Sequence, residues 1–367
     1  MERLKNFWKN ETVLCISAAA AAITMLWNPP GAATVKAIDF RVLALLFCLM
    51  AVVAALQRAG VFVHLAQRLA ARAQSVRALC AVLVFLCFFT SMLITNDVAL
   101  LTFVPFAILL LSAAGLKKHL CYTVVLQTLA ANLGSMATPV GNPQNLYLFS
   151  RYSMKIGAFF AAVLPVTAVS AVILALLLPA IPRGSFTWRG GGAPLKKKEA
   201  AAAFLLLAVC LAAVLHWLPW QAMLAAVALW MLIWQRPLWK EIDYGLLATF
   251  VCFFIFVGNL GAMEGVRRHM GALLQGREAV AAALLSQGMS NVPAAVLLSG
   301  FTENGRALLL GTNIGGLGTP VASLASLISM KLYGKSEGAE KRRFLGLFSL
   351  LNFSLLALLL LLFARNG

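Results

Sequence analysis

Charged residues are scarce in this chain, and acidic residues are the scarcest. Only 11% of the 367 residues are charged, and 12 Asp and Glu stand against 30 Lys and Arg. A soluble domain carries about 25% charged residues, so a soluble fold is excluded. Because 62% of the residues are hydrophobic, the composition predicts an all-α polytopic membrane protein. At about 20 residues per crossing, it has room for roughly nine to twelve membrane segments.

Motifs of enzymes and pumps are also missing. No G-x-S-x-G, H-E-x-x-H or P-loop pattern occurs, which argues against a membrane enzyme or an ATP-driven pump. The seven cysteines include no C-x-x-C pair, and the four histidines have no ligand spacing. The sequence therefore predicts no metal centre built from Cys or His, no redox site and no cofactor.

The net charge of +18 comes from short basic clusters between apolar runs. This distribution is typical of topology determinants rather than of nucleic-acid binding. The chain starts with basic residues, which a retained first helix at 12–28 follows. This arrangement predicts a cytoplasmic N-terminus for a protein of the cytoplasmic (inner) membrane. The same count puts most basic loops inside: 58–77, 116–119, 183–198 and 331–343. The exception is a basic cluster that falls outside: Arg267, Arg268 and Arg277.

One octapeptide pattern, N-x-G-x-x-x-T-P, occurs twice. Asn132-Leu-Gly134-Ser-Met-Ala-Thr138-Pro139 returns as Asn313-Ile-Gly315-Gly-Leu-Gly-Thr319-Pro320. These residue types open the helical backbone and are unsuited to lipid, so each copy predicts a helix broken at a protected midplane site. Close packing through small residues explains the glycines, but not the repeated Asn and Thr-Pro. The first copy continues into a polar run with Asn142 and Asn145, where the second has Ser323 and Ser326.

Two pairs of apolar stretches enclose short polar tips. Residues 78–93 and 98–115 flank Thr95-Asn96-Asp97, and residues 278–289 and 294–301 flank Ser290-Asn291-Val292-Pro293. We expect two re-entrant hairpins with polar tips. An amide can both donate to a substrate and accept from backbone, so Asn96 and Asn291 are predicted substrate ligands.

Asp97 is the one acidic residue deep within the hydrophobic sequence. Carboxylates inside a membrane are costly and usually functional. Burial favours the protonated form and a bound cation favours the ionised form, so this group could exchange a proton for a cation. Asp97 is therefore the predicted ion-coupling residue. The alternative is a capping residue that ties the hairpin tip to backbone N–H groups.

The order of features indicates an internal duplication. Repeat one spans 12–181, a basic linker with an extra helix spans 182–220, and repeat two spans 221–363. One extra crossing inverts the second repeat, and such inverted repeats build one midplane site from helix ends and freed carbonyls. The predicted substrate-binding residues are Thr95, Asn96, Asn132, Gly134, Thr138, Pro139, Asn142, Asn145, Ser290, Asn291, Asn313, Gly315, Thr319 and Pro320. A Na+ site is predicted near Asn96, Asp97, Asn132, Asn291 and Asn313.

These motifs resemble the ion transporter superfamily, which includes citrate-transporter-like permeases, divalent anion:sodium symporters, arsenite permeases and NhaD-type antiporters. The resemblance covers nearly the whole chain. Its most specific parts are Thr95–Leu100, Asn132–Asn145, Ser290–Ala294 and Asn313–Pro320. It implies a scaffold domain, a transport domain, an elevator-like movement and, in many members, a homodimer.

The chain departs from the dicarboxylate members, which carry Ser-Asn-Thr at both tips. Here the tips read Thr95-Asn96-Asp97 and Ser290-Asn291-Val292. An ionised Asp97 would repel a dianion unless a cation lay between them. The sequence predicts secondary transport of a small carboxylate or inorganic oxyanion coupled to Na+ or H+. The alternatives are arsenite efflux, Na+/H+ antiport and, from a different class, an ion channel.

Overall fold

The computed structural model describes residues 12–186 and 194–363, and these residues are almost entirely helical. They contain no β-strand, and an isolated β-bridge joins Ser75 to Ser185. By length and composition, six described helices can cross a membrane: Phe40–Arg58, Val76–Ile94, Asn96–Ala113, Ile156–Ala180, Tyr244–Gly261 and Lys341–Phe363. The predicted all-α polytopic fold is confirmed. The other predicted crossings fall on shorter or broken helices.

The first half of the described chain runs from an apolar helix to a long closing helix. Its elements are α1 (Thr12–Met25), α2 (Ala32–Ala37), α3 (Phe40–Arg58), α4 (Val61–Ala70), α5 (Val76–Ile94), α6 (Asn96–Ala113), α7 (Leu120–Ser135), α8 (Pro143–Arg151) and α9 (Ile156–Leu177). The extra helix predicted within the linker 182–220 is α10 (Lys197–Val214). Residues 187–193 of the predicted basic linker lie outside the described residues.

The second half repeats this order of elements. It consists of α11 (Trp220–Trp234), α12 (Tyr244–Gly261), α13 (Glu264–Leu274), α14 (Glu278–Met289), α15 (Asn291–Leu298), α16 (Gly305–Ile314), α17 (Leu324–Gly334) and α18 (Lys341–Phe363). The first helix of each half packs on the long second helix of the other half, α1 on α12 and α11 on α3. The two halves are therefore packed together reciprocally.

Two aspartates stand at the starts of the long helices α3 and α12. The carboxylate of Asp39 accepts a hydrogen bond from the backbone N–H of Val42 at 3.0 Å. The carboxylate of Asp243 accepts one from the N–H of Leu246 at 2.8 Å. Each satisfies a donor that the first helical turn leaves free. These two carboxylates are N-caps in corresponding places.

Two short amphipathic helices, α4 and α13, were not predicted. The sequence predicts a loop at 58–77, yet residues 61–70 form α4, which buries Phe62, Ala66 and Ala70 on one face. Helix α13 occupies the corresponding place after α12 and buries Leu274. Charged side chains interrupt both segments, so neither stands out as an apolar run. Each connects a long helix to a hairpin.

The two hairpins reverse direction at one residue each. Helix α5 gives way to α6 at Thr95 (φ 65°, ψ 149°), and α14 gives way to α15 at Ser290 (φ 75°, ψ 154°). A positive φ is uncommon for residues with a side chain and costs backbone energy. The amide of Gln127 donates to Leu83 O at 3.3 Å and to Phe103 O at 3.2 Å, so it bridges both arms of the first hairpin. The matching tip conformations support a shared design.

Candidate functional site

The two N-x-G-x-x-x-T-P motifs lie at the predicted helix breaks. Helix α7 ends at Ser135 and α8 begins at Pro143, while α16 ends at Ile314 and α17 begins at Leu324. Proline supplies no backbone N–H, so it stops a helix or occupies its first turn. Pro143 takes the first position of α8, and Pro320 starts a short 3-10 turn within the second break. Both predicted broken helices are confirmed.

The threonine of each motif fastens the break to the neighbouring hairpin. The Thr138 hydroxyl donates to the carbonyl of Met92, and the Thr319 hydroxyl donates to the carbonyl of Gln287 at 2.8 Å. Met92 and Gln287 both lie three residues before their hairpin tip. Both hydroxyls are therefore engaged within the protein, and Pro139 and Pro320 follow the two threonines directly in the sequence.

The glycine of each motif allows a close approach to the first arm of the same hairpin. A Cβ atom on Gly134 would lie 2.0 Å from the carbonyl oxygen of Phe88. A Cβ on Gly315 would lie 2.7 Å from Cα of Ala283. Real Cβ atoms do not approach backbone so closely, because interiors are packed to van der Waals contact. Gly134 and Gly315 thus serve packing, as the alternative interpretation held for the glycines.

Asn132 of the first motif is bonded to the second break. Its Nδ2 donates to the Ser326 hydroxyl at 3.0 Å, and its Oδ1 accepts from the Ser323 hydroxyl at 3.0 Å. Asn132, Ser323 and Ser326 are all buried. The side chain therefore joins residues far apart in sequence inside the helical bundle.

Asn313 of the second motif is bonded to the first break in the reciprocal way. Its Nδ2 donates to Asn145 Oδ1 at 2.6 Å, and its Oδ1 accepts from Asn142 Nδ2 at 3.2 Å. Asn142 and Asn145 follow Asn132 by 10 and 13 residues, and Ser323 and Ser326 follow Asn313 by the same 10 and 13. We call these six residues the crossing network: Asn132, Asn142, Asn145, Asn313, Ser323 and Ser326.

The two hairpin tips meet this centre differently. The amide of Asn96 donates to Asn132 Oδ1 at 3.0 Å and to the Ser323 hydroxyl at 3.4 Å. Asn291 Oδ1 accepts from the Ser290 hydroxyl at 3.3 Å, but its Nδ2 has no hydrogen-bond partner among the described residues. Both asparagines are 5% exposed. The Asn291 amide is a free donor, whereas that of Asn96 is engaged.

Asp97 follows Asn96 at the first tip and is half-buried. Its N–H donates to Asn96 Oδ1 at 3.1 Å, whereas its carboxylate makes no hydrogen bond or salt bridge within the described chain. The capping role considered from the sequence is therefore not seen there. A cation or a proton would neutralise this unpaired carboxylate.

Three buried side-chain atoms that the sequence did not single out lack a hydrogen-bond partner in the described chain. They are Gln144 Nε2, Gln127 Oε1 and Asn352 Oδ1. Gln144 is 1% exposed and stands in the first turn of α8, between Asn142 and Asn145. A buried amide donor without a partner is costly. A polar residue inside an apolar run was the signal, and Gln144 joins the candidate site on these grounds.

Potential metal ligands are scattered over the described part of the chain. No group of three or more His, Cys, Asp or Glu side chains is close enough to hold a metal ion there. The described cysteines are free thiols, and five of the seven are buried. What the site offers a cation is oxygen: amides, hydroxyls, helix-end carbonyls and the Asp97 carboxylate. Hard cations such as Na+ take oxygen ligands of this kind.

Hairpins and broken helices that meet at a buried polar centre define a polytopic membrane protein of the transporter class. Residues 7–303 match the citrate transporter family. The chain is 32% identical to an uncharacterized transporter of Methanocaldococcus jannaschii over 257 residues, 68% of this chain and 69% of that protein. The chain belongs to the citrate transporter family, and it is a multi-pass membrane transporter, not an enzyme.

Two further relatives have informative names. The inner membrane protein YbiR of Escherichia coli is 29% identical over 306 residues, which cover 81% of this chain and 80% of YbiR. The silicon efflux transporter of Oryza sativa is 35% identical over 141 residues, 38% of this chain and 29% of that protein. The predicted resemblance to citrate-transporter-like permeases is confirmed by the family match.

Proposed function

We propose that this protein is a secondary active transporter of a small anion, a carboxylate or an inorganic oxyanion, coupled to Na+ or H+. The observation that carries this proposal is the crossing network, in which each helix break is bonded to the asparagine of the other half. A site shared by two halves suits alternating access, because a movement of one body relative to another can expose it to either side. The movement we propose is of the elevator type.

The chemistry of the centre favours an anion. Helices α6, α8, α15 and α17 all begin there, and helix N-termini offer free N–H groups and a positive dipole end. Asn291 Nδ2 and Gln144 Nε2 add side-chain donors without partners in the described chain. A silicon efflux transporter among the relatives supports a hydroxylated inorganic acid or its anion as one substrate class.

The coupling ion is proposed to bind at Asp97. Its carboxylate is half-buried and has no hydrogen-bond or salt-bridge partner within the described residues, so neutralisation by a proton or Na+ is favourable. Exchange of these two ions at the same place would give a Na+/H+ antiporter. That function is the second candidate, and the unpaired Asp97 is the observation that favours it.

We propose the domain division 12–181, 182–220 and 221–363, with the second repeat inverted relative to the first. The reciprocal packing of α1 on α12 and of α11 on α3 supports this division. We also place the protein in the inner membrane with a cytoplasmic N-terminus, supported by the basic loops and by the name of YbiR. The hairpins would then enter from opposite sides as re-entrant elements.

Flux into proteoliposomes tests the proposed function. Purified protein is reconstituted, and uptake of radiolabelled citrate, phosphate or arsenite is measured under imposed Na+ and pH gradients. A transporter saturates with substrate, accelerates exchange against internal substrate and responds to one ion gradient. Uptake that does not saturate and shows no exchange would indicate a channel and contradict the proposal.

The two tip asparagines are expected to respond differently to alanine. Asn291→Ala removes a free donor, so we expect transport to fall at least tenfold with little change in thermal stability. Asn96→Ala removes two hydrogen bonds to Asn132 and Ser323, so both transport and stability should fall, stability by about 1–3 kcal/mol. Uptake and thermal unfolding of both variants are measured side by side. Wild-type transport by Asn291→Ala would remove that tip from the site.

Cysteine labelling tests the inverted arrangement. Single cysteines replace Lys118, after the first hairpin, and Gln275, before the second, and both side chains are exposed. Gln275 is preferable to its neighbour Gly276, whose φ of +71° disfavours a side chain. In oriented membranes, an impermeant thiol reagent should label the two positions from opposite sides. Labelling from the same side would contradict the inverted repeat.

A further inference from the structure

A cavity of about 580 Å³ lies at the end of the molecule where α3 begins. Lys36 and Asp39 form one wall, and Tyr147 and Arg151 of α8 form another. The remaining walls come from the last turns of α12 and from the end of α15. The cavity therefore separates the long helices α3 and α12 from the hairpin and broken helix that surround the crossing network.

The charges around this cavity are unbalanced. Lys36 and Arg151 make no salt bridge with any described residue, and the Arg151 guanidinium stands 5.8 Å from the centre of the Tyr152 ring. The carboxylate that lines the cavity, Asp39, already accepts the N–H of Val42 at 3.0 Å. Two cations therefore face one carboxylate that is already used as a helix cap. Such a concavity concentrates small anions.

Hydroxyl groups add polar contacts at the inner wall. Tyr147 and Ser299 are buried and share a hydrogen bond of 2.6 Å between their hydroxyl oxygens. The Ser299 hydroxyl also donates to the carbonyl of Val296 at 2.7 Å, so the Tyr147 hydroxyl is the donor of this pair and could turn its proton toward a bound anion instead, since hydroxyl hydrogens rotate. The cavity thus combines charge with donors of the kind an oxyanion requires.

The cavity is connected to the crossing network by two helices. Tyr147 follows Asn142 by five residues along α8, and Val296 follows Asn291 by five residues along α15. At a helical rise of about 1.5 Å per residue, each spacing is about 7.5 Å. Five residues are about one and a half helical turns, so the cavity wall at Tyr147 and Val296 lies about that far along each helix from Asn142 and Asn291.

The two halves of the chain differ at this point. The position that corresponds to Arg151 in the second half is Leu332, counted from the two motif asparagines. The position that corresponds to Asp97 at the second tip is Val292. Arg151 therefore has no basic counterpart at Leu332 of α17, just as Asp97 has no acidic counterpart at Val292 of α15. The duplication was not kept symmetrical in charge.

We propose that this cavity is an anion-capture site, in which Lys36 and Arg151 bind a small carboxylate or oxyanion before it moves to the crossing network. The onward step depends on the proposed function. Capture itself does not, because it needs only the two cations and the cavity. The experiment can therefore separate the two.

Thiol reactivity measures the cavity potential without transport. Gly261 lines the cavity, and a Cβ added there meets no atom within 4 Å. Gly261→Cys is placed in a chain with Cys15→Ala and Cys252→Ala, because the other five cysteines are buried. The purified protein in detergent reacts with an anionic and a cationic thiosulfonate reagent. The ratio of the two rates cancels any change in thiol ionisation.

We expect the anionic reagent to react faster. Lys36→Gln together with Arg151→Gln should lower the anionic-to-cationic rate ratio at least about tenfold. Lys155→Gln is the matched control, since Lys155 is an exposed lysine near α8 that does not line this cavity. It should leave the ratio within about twofold. Citrate or inorganic phosphate should slow the anionic reagent in the parent and not in the double variant.

A rate ratio that ignores Lys36 and Arg151, or that changes equally with Lys155→Gln, would overturn the capture site. Failure of both citrate and phosphate to protect the cysteine would also overturn it. If the ratio falls as expected and proteoliposomes show no anion uptake, the capture site stands and the proposed transport of anions fails. If uptake is present and the ratio is unchanged, the reverse holds.

Discussion

A Gly134→Ala variant is expected to lose the folded, transport-competent state. The added methyl group would lie 2.0 Å from the Phe88 carbonyl oxygen and 2.7 Å from the Ser91 hydroxyl. The carbonyl belongs to helix α5, so relief requires a shift of backbone and not of a flexible side chain. Overpacking of this kind costs about 3 kcal/mol. Thermal unfolding and uptake of the purified variant measure the loss.

Gly157→Ala is the matched control. Gly157 lies in α9, and a Cβ there meets nothing within 4 Å. Alanine is a better helix former than glycine by about 1 kcal/mol, so this variant should be as stable as the parent or more so. If Gly134→Ala unfolds at the same temperature as the parent protein, the close approach of α7 to α5 is not required for stability.

The sequence was informative wherever a residue type carries a backbone consequence. Pro143 and Pro320 cannot continue a helix, so the breaks beside them were predictable. Asp39 and Asp243 stand directly before apolar runs, and both are N-caps of the long helices that follow. The polar tips at Thr95 and Ser290 also fall where two apolar segments reverse. These features depend on neighbours in sequence.

The partners of the motif asparagines could not be predicted in the same way. Asn132 is bonded to Ser326, 194 residues away, and Asn313 is bonded to Asn145, 168 residues away. Such pairs depend on how the two halves pack, which no local pattern specifies. In the sequence, Ser323 and Ser326 follow the second motif at the positions where Asn142 and Asn145 follow the first. Only the structure shows that these four residues are partners of the other half's asparagine.

The same limit explains the unequal tips. Asn96 and Asn291 have the same residue type and the same predicted role, but among the described residues Asn96 Nδ2 donates hydrogen bonds and Asn291 Nδ2 donates none. Helices α4 and α13 were missed for a different reason. Their apolar faces are short and are interrupted by charges, so they resemble loops when only long apolar runs are sought.

The coupling proposal is tested by Asp97→Asn, which should abolish accumulation against a gradient while permitting downhill exchange. The substitution keeps the size of the side chain and removes the titratable charge, and the carboxylate has no hydrogen bond within the described residues to lose, so the first hairpin should stay folded. With one ion per substrate, a tenfold ion gradient supplies about 1.4 kcal/mol and drives about tenfold accumulation. In the variant, the substrate ratio across the membrane should fall to about one.

Proteoliposomes with separately imposed Na+ and pH gradients measure this ratio for the parent and for Asp97→Asn. Asp243→Asn is the comparison, because it also replaces a carboxylate with an amide but retains a side-chain oxygen that can cap α12 at Leu246. Its transport should remain coupled, since the Asp97 carboxylate is still present. If Asp97→Asn still concentrates substrate with unchanged ion dependence, Asp97 does not carry the ion. Coupling would then depend on the other oxygen atoms at the centre, which are those of helix-end carbonyls, amides and hydroxyls.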